Sequence, residues 1–129
     1  MAIRFEDLEI WKMSRELCKD IYKITNYEVF NKDLRFRDQI RASSGSIMDN
    51  IAEGFERNGN KEFAYFLFIA KGSCGELRSQ MYRALDNKYI SEDEFNNICN
   101  KAVTLSQSIS RFIQYLKKSE ITGFKNLKI

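Results

Sequence analysis

The apolar positions of this chain fall into four helical stripes separated by short polar breaks. The first runs from Asp7, a favourable N-cap residue, to about Tyr27. Along it Ile10, Ser14, Leu17, Ile21 and Ile24 recur at alternating spacings of four and three, and Trp11 and Cys18 widen the face. A second stripe begins near Asp33 and carries Phe36, Ile40, Ile47, Ile51 and Phe55 until the Asn58-Gly59 pair stops it. Asn60 caps a third helix, in which Phe63, Leu67, Ala70, Cys74, Leu77, Met81 and Ala84 keep the rhythm to about Asn87. Ser91 followed by Glu94 is a capping box for a fourth, with Ile98, Ala102, Leu105, Ile109, Phe112 and Leu116 as its seam. Beyond Lys117 the pattern dissolves.

Four-three spacing is a heptad seam, and four seams joined by short connections predict an all-α fold, an antiparallel up-down-up-down four-helix bundle. The bundle is expected over residues 1–118, with a basic C-terminal tail over residues 119–129.

The second and third helices carry polar stripes beside their apolar ones. Gln39, Ser43, Ser46, Asn50, Glu53 and Arg57 repeat at four-three spacing on one, and Glu62, Phe66, Ile69, Ser73, Glu76, Gln80 and Arg83 on the other. Folding the two helices back about Gly59 sets Arg57 against Glu62, Ser46 against Ser73, Ser43 against Glu76 and Gln39 near Gln80. It also brings Ala42 to Ser46 against Ser73, Cys74 and Gly75, small residues that allow an approach at or below the low end of the roughly 8–10 Å range for helix pairs. Asn50, Glu53 and Gly54, unusual choices inside a helix, then read as parts of a tight hydrogen-bonded hairpin, with Glu53 four residues before Arg57 and able to pair with it. The competing reading is that the uncovered part of this stripe meets another chain or a ligand.

Composition narrows the function classes. Charged residues make up 30% and hydrophobic residues 43% of the 129 residues, a globular profile for one domain. The longest uncharged apolar run, FAYFLFIA, is far below membrane-spanning length, so a cytoplasmic, membrane-free protein is expected. Cys18, Cys74 and Cys99 lack C-x-x-C spacing and read as buried thiols. There is no histidine and no Gly-rich phosphate loop, and Glu53, Glu56, Glu62 and Glu76 lack the histidines of a bundle di-metal site. No catalytic residue, metal or cofactor is therefore expected.

Net charge is +3, and its location matters more than its size. Of the 21 basic and 18 acidic residues, Lys117, Lys118, Lys125, Lys128 and Glu120 follow Leu116, which leaves 17 of each sign in the body. Candidate nucleic-acid contacts are thus the tail lysines, Lys117, Lys118, Lys125 and Lys128, followed by Arg37 and Arg41, which share a helix face. Tyr65, Phe66, Phe68 and Ile69 lie outside the third helix's apolar seam and predict a homo-oligomer interface.

The strings QIRASSGSIMDNIAEGFER and KEFAYFLFIAKGSCGEL, with FEDLEIWKMSRELCKDIY before them, resemble the 23S rRNA intervening-sequence protein family of small bacterial four-helix bundles. The resemblance covers roughly Phe5 to Ile90. Many members have proline where Met48 stands and a fuller apolar set at Ser44 and Gly45, so the middle of the second helix departs from the pattern. The resemblance implies a homopentamer standing around a central channel. Through fold-related accessory proteins of diversity-generating retroelements, it also implies contact with nucleic acid. The expected function is a non-enzymatic homo-oligomeric interaction protein that binds RNA or DNA. The alternative is a protein–protein adaptor that binds neither.

Overall fold

The computed structural model describes residues 4–121. Among them every regular element is helical: a 3-10 turn at Phe5–Asp7, then α1 (Glu9–Thr25), a short α2 (Glu28–Lys32), α3 (Leu34–Glu56), α4 (Asn60–Asp86) and α5 (Glu92–Ile121). The four long helices are those expected. Cys18 meets Ser44 and Thr25 meets Arg41 between α1 and α3, and Ser46 meets Ser73 between α3 and α4. Phe63 meets Phe112 and Tyr82 meets Phe95 between α4 and α5, while Asp20 and Tyr27 meet Lys101 and Glu94. Gly54 beside Phe66 gives α3 and α4 a second such meeting, and in each set one number rises as its partner falls, so successive long helices run antiparallel and α5 closes back on α1.

The core follows the apolar seams. Ile10, Ser14, Leu17, Ile21 and Ile24 on α1, and Phe63 through Ala84 at every expected position on α4, are buried. Two expected seam residues are displaced. On α3, Gly54 is buried and Phe55 only half-buried, and on α5 Ile113 replaces Phe112 in the core. A straight helix turns once per 3.6 residues, so a strict heptad stripe drifts out of the core along its length.

The helix ends partly depart from expectation. Asp7 lies in the 3-10 turn, so the N-cap of α1 is Leu8, which makes no side-chain cap bond but buries its side chain completely. Helix α1 ends at Thr25, and Tyr27 instead precedes α2, whose Phe30 stacks against Phe36 and Tyr89 at 5.3 and 5.0 Å. Gly59, at φ 102°, takes the N-cap of α4, so Asn60 is its first residue and not its cap. At the other end, α5 runs on to Ile121, past the expected boundary at Lys118.

The remaining caps are as read, and the fold reinforces them. Asp33 accepts from the Phe36 amide, and Ser91 and Glu94 exchange both bonds of a capping box. Each capping carboxylate also receives a tyrosine hydroxyl from a distant segment: Tyr89 donates to Asp33 at 2.8 Å, and Tyr27 donates to Glu94. Both clamps sit at the end of the bundle where α1 and α4 finish and α3 and α5 begin.

The expected close approach of α3 and α4 is real but misplaced. A Cβ at Gly45 or Gly75 would have nothing within 4 Å, so neither of these glycines marks the closest approach. The contact is at Gly54 instead. A Cβ there would lie 2.7 Å from Phe66 Cβ, 3.0 Å from Phe63 Cδ1 and 3.3 Å from the Phe63 carbonyl.

Two predictions follow from this geometry. Gly54→Ala should lower stability in urea denaturation by about 1–3 kcal/mol through overpacking, despite alanine's better helix propensity, whereas Gly75→Ala should raise it by up to about 1 kcal/mol. Second, hydrogen bonds to Glu94 and Asp33 raise the ionisation of Tyr27 and Tyr89 above the ordinary tyrosine value. Their contribution to stability is therefore complete below that value and is lost as pH rises through the raised one. At Glu94, burial pushes upward but is outweighed by the Ser91 amide, the Tyr27 hydroxyl and Lys23, so its net shift is downward and its contribution is lost in acid. Thermal melts across alkaline pH should show a shallower decline for the Tyr27→Phe, Tyr89→Phe double variant than for wild type.

Candidate functional site

The polar seam of α3 and α4 divides into a closed half and an open half. In the closed half every polar group named has an internal partner. Ser73 Oγ donates to Ser46 Oγ at 2.9 Å, and Asn50 Nδ2 donates to Ser46 Oγ and to the Ser46 carbonyl. Arg57 bonds Glu53 at 2.7 Å and lies over the Phe66 ring at 5.1 Å. The expected one-turn pair of Glu53 with Arg57 forms, and Glu62, expected across the hairpin, is near enough to add to the field at Arg57. Asn50, Glu53 and Gly54 owe their presence inside α3 to the network, the ion pair and the helix contact respectively.

The open half begins one turn further from the hairpin. Gln39 and Ser43 from α3 and Glu76, Gln80 and Arg83 from α4 line a cleft of about 440 Å³, with Ala42 and Ser46 also at its wall. The sequence-derived pairings of Ser43 with Glu76 and of Gln39 with Gln80 place these residues across one cleft. They make no bond across it. Ser43 Oγ bonds back to the Gln39 carbonyl at 3.2 Å, a helix-internal bond that leaves the cleft unbridged. Gln80 is 5% exposed, and its Oε1 is buried without a hydrogen-bond partner, the one such side-chain atom among the described residues. Arg83 lies over the Phe36 ring at 4.4 Å, which props its guanidinium at the rim.

The sequence set Glu76 and Gln80 in the same stripe without marking Gln80 out. Only its depth distinguishes Gln80, and a four-three pattern does not report depth. A second cleft of about 440 Å³ opens between α1 and α5 beside Met13, Asn97 and Thr104, but its Lys101 is already paired with Asp20 at 2.7 Å.

The basic candidates are mostly engaged. Arg41 donates to Thr25 Oγ1 at 2.8 Å and to Asn26 Oδ1 at 3.1 Å and lies over the Tyr22 ring, tying α3 to the end of α1. Arg37 donates to Asn31 Oδ1 at 2.8 Å and pairs with Asp38. Lys117 stands over the Phe68 ring at 5.0 Å, and Lys118 is exposed but not without a partner. Lys125 and Lys128 lie outside the described residues.

The outward face of α4 exposes Tyr65, Phe68 and Ile69 at 62%, 50% and 38%. Phe66 does not belong with them: it is half-buried, touches the Gly54 position and packs its ring against Tyr65 at 5.4 Å. Burial pushes the Cys74 thiol up to about 12 and raises those of Cys18 and Cys99, and Cys18 donates to the Ser44 carbonyl. Among the described residues no acid, cysteine and histidine cluster suits a metal, and no helix is long and apolar enough to cross a membrane.

No curated protein matches the chain. A solved structure from Bacteroides thetaiotaomicron VPI-5482, a protein of unknown function from the S23 ribosomal protein family, superposes with a TM-score of 0.75 at 21% identity. The match covers 81% of this chain and 95% of that one, and it shows a shared fold. The model of the 23S rRNA-intervening sequence protein family matches residues 6–125, nearly the whole length over which the seams and helices have been traced, and the chain belongs to that family.

Proposed function

We propose that the protein is a non-enzymatic, self-associating helical bundle of the cytoplasm that acts as an interaction protein, with nucleic acid as its partner. The observation that carries this reading is the α4 face. Tyr65, Phe68 and Ile69 stand at i, i+3 and i+4, with Lys61 before them, the side-chain-free Gly72 after them, and Lys117 of α5 over Phe68. Apolar groups this large and this close together on one helix call for a partner surface. A second copy supplies one, and the family resemblance implies a ring of five.

Repetition of each basic tail around such a ring raises weak phosphate contacts by avidity. Nucleic acid is favoured because the charge excess of the sequence lies at and beyond Lys117 while the body is neutral. The internal use of Arg37 and Arg41 supports the second reading, an adaptor for another protein, because it withdraws the body's two best phosphate contacts.

Light scattering at micromolar concentration should give a multiple of the chain mass, and Tyr65→Ser with Phe68→Ser should reduce it to the monomer with the helical content intact. A monomeric wild type would overturn the self-association. In a salt series, affinity for single-stranded RNA or DNA should fall with a slope of about −0.7 per neutralised phosphate, and deletion after Ile121 should make the slope shallower. An unchanged slope would remove the tail as the contact, and no binding at low salt would leave the adaptor.

A further inference from the structure

Among the described residues the exposed large apolar side chains fall into two groups. Tyr22, Val29, Leu34 and Tyr82 stand at the end of the bundle where α1 and α4 finish, and Tyr82 packs there on Phe95 at 4.8 Å. Tyr65, Phe68 and Ile69 form a patch on α4 at the opposite end, where α5 finishes. Lys117 of α5 reaches over this patch, its Nζ 5.0 Å from the Phe68 ring centre, and Phe68 is still half exposed beneath it.

Ile121, the last residue of α5, is four positions on from Lys117, about 6 Å along the helix. The sequence after it reads TGFKNLKI. Glycine, here Gly123, is the residue type that ends a helix and turns the chain aside, and the family match runs through it and Phe124 to residue 125. Lysines that served phosphates alone would gain nothing from the Phe124 and Leu127 set among them. An extended chain covers about 3.3 Å per residue, so Phe124 and Leu127 reach about 10 and 20 Å from Ile121, enough to return past Lys117 to Phe68.

We propose that residues 122–129 fold back over Lys117 and lay Phe124 and Leu127 on Tyr65, Phe68 and Ile69 of the same chain. Tethering decides for the same chain, because a segment held this close has an effective concentration of about millimolar, well above that of a second copy at micromolar protein. A second copy competes for the same three side chains, so the docked tail weakens self-association in proportion to the fraction of faces it covers. That consequence rests on the self-association reading, and the docking itself does not.

The test is limited trypsin digestion of the full chain, read by intact mass as loss of the residues after Lys125. In wild type this cut should be about tenfold slower than in the Tyr65→Ser, Phe68→Ser variant, because cleavage follows the undocked fraction. The wild-type rate should be the same at high and low protein concentration. Both substituted side chains are exposed, so the variant should keep the helical content of wild type by circular dichroism. Phe124→Ser with Leu127→Ser, which leaves the bundle and every lysine in place, should uncover Lys125 to the same degree. Equal cleavage of all three proteins would overturn the docking. Protection that disappears on dilution would set the tail against a second copy, which would overturn docking within one chain and support self-association. By light scattering, deletion after Ile121 should move half-assembly to about tenfold lower concentration. A truncated chain with the wild-type midpoint would overturn the competition. A truncated chain that stays monomeric, with the full chain protected from trypsin, would overturn the self-association reading and leave the docking standing.

Discussion

The approach of α3 to α4 at Gly54 sets the geometry on which the rest of the bundle depends. Because Phe66 Cβ comes within 2.7 Å of where a Cβ would stand, only glycine lets the two backbones meet there, and the meeting point lies within two helical turns of the Gly59 hairpin. Along the helix pair, that contact is followed by the Ser46–Ser73–Asn50 network and then by the cleft.

The far end of the bundle is held in a different way. There the aromatic group of Phe30, Phe36 and Tyr89 fills the space between α2, α3 and the α4–α5 connection, and two tyrosines bond the carboxylates that cap α3 and α5. A cap by itself stabilises one helix by about 1 kcal/mol. A cap whose acceptor is also bonded from another segment fixes the position of that helix end as well as its start. Arg41, bonded to Thr25 and Asn26 and lying over Tyr22, does the same between α1 and α3. The arginines that a charge count would offer to phosphates are thus part of how this end is assembled.

Much of this was legible in the sequence for a physical reason. Helix seams are local patterns repeated many times, so the four long helices, the burial of the α1 and α4 stripes, the Ser91–Glu94 box and the facing of Ser46 and Ser73 all followed from spacing and one turn. What failed depended on distances that spacing does not encode. Gly45 and Gly75 looked like points of close approach, but a small residue permits contact without causing it. The α2 turn was missed because a five-residue helix carries no period, although Phe30 within a polar stretch was a signal that something buried it. In the candidate site the stripe containing Gln80 was visible, while the fact that its oxygen is buried and unpaired belongs to the third dimension.

That oxygen sets a constraint of its own. A buried acceptor without a partner costs about 1–3 kcal/mol, and an apolar side chain of the same shape would remove the cost without disturbing the packing. Beside it on α4, Leu77, Met81 and Ala84 of the apolar stripe are all fully buried. Across the same interface Ser46, Asn50 and Ser73 satisfy one another, so the helix pair is able to close a polar network where it forms one. Gln80 is thus a position at which the fold is less stable than an apolar side chain of the same shape would make it. Proteins sit only a few kcal/mol above unfolding, so a cost of this size at one atom is a measurable share of the whole.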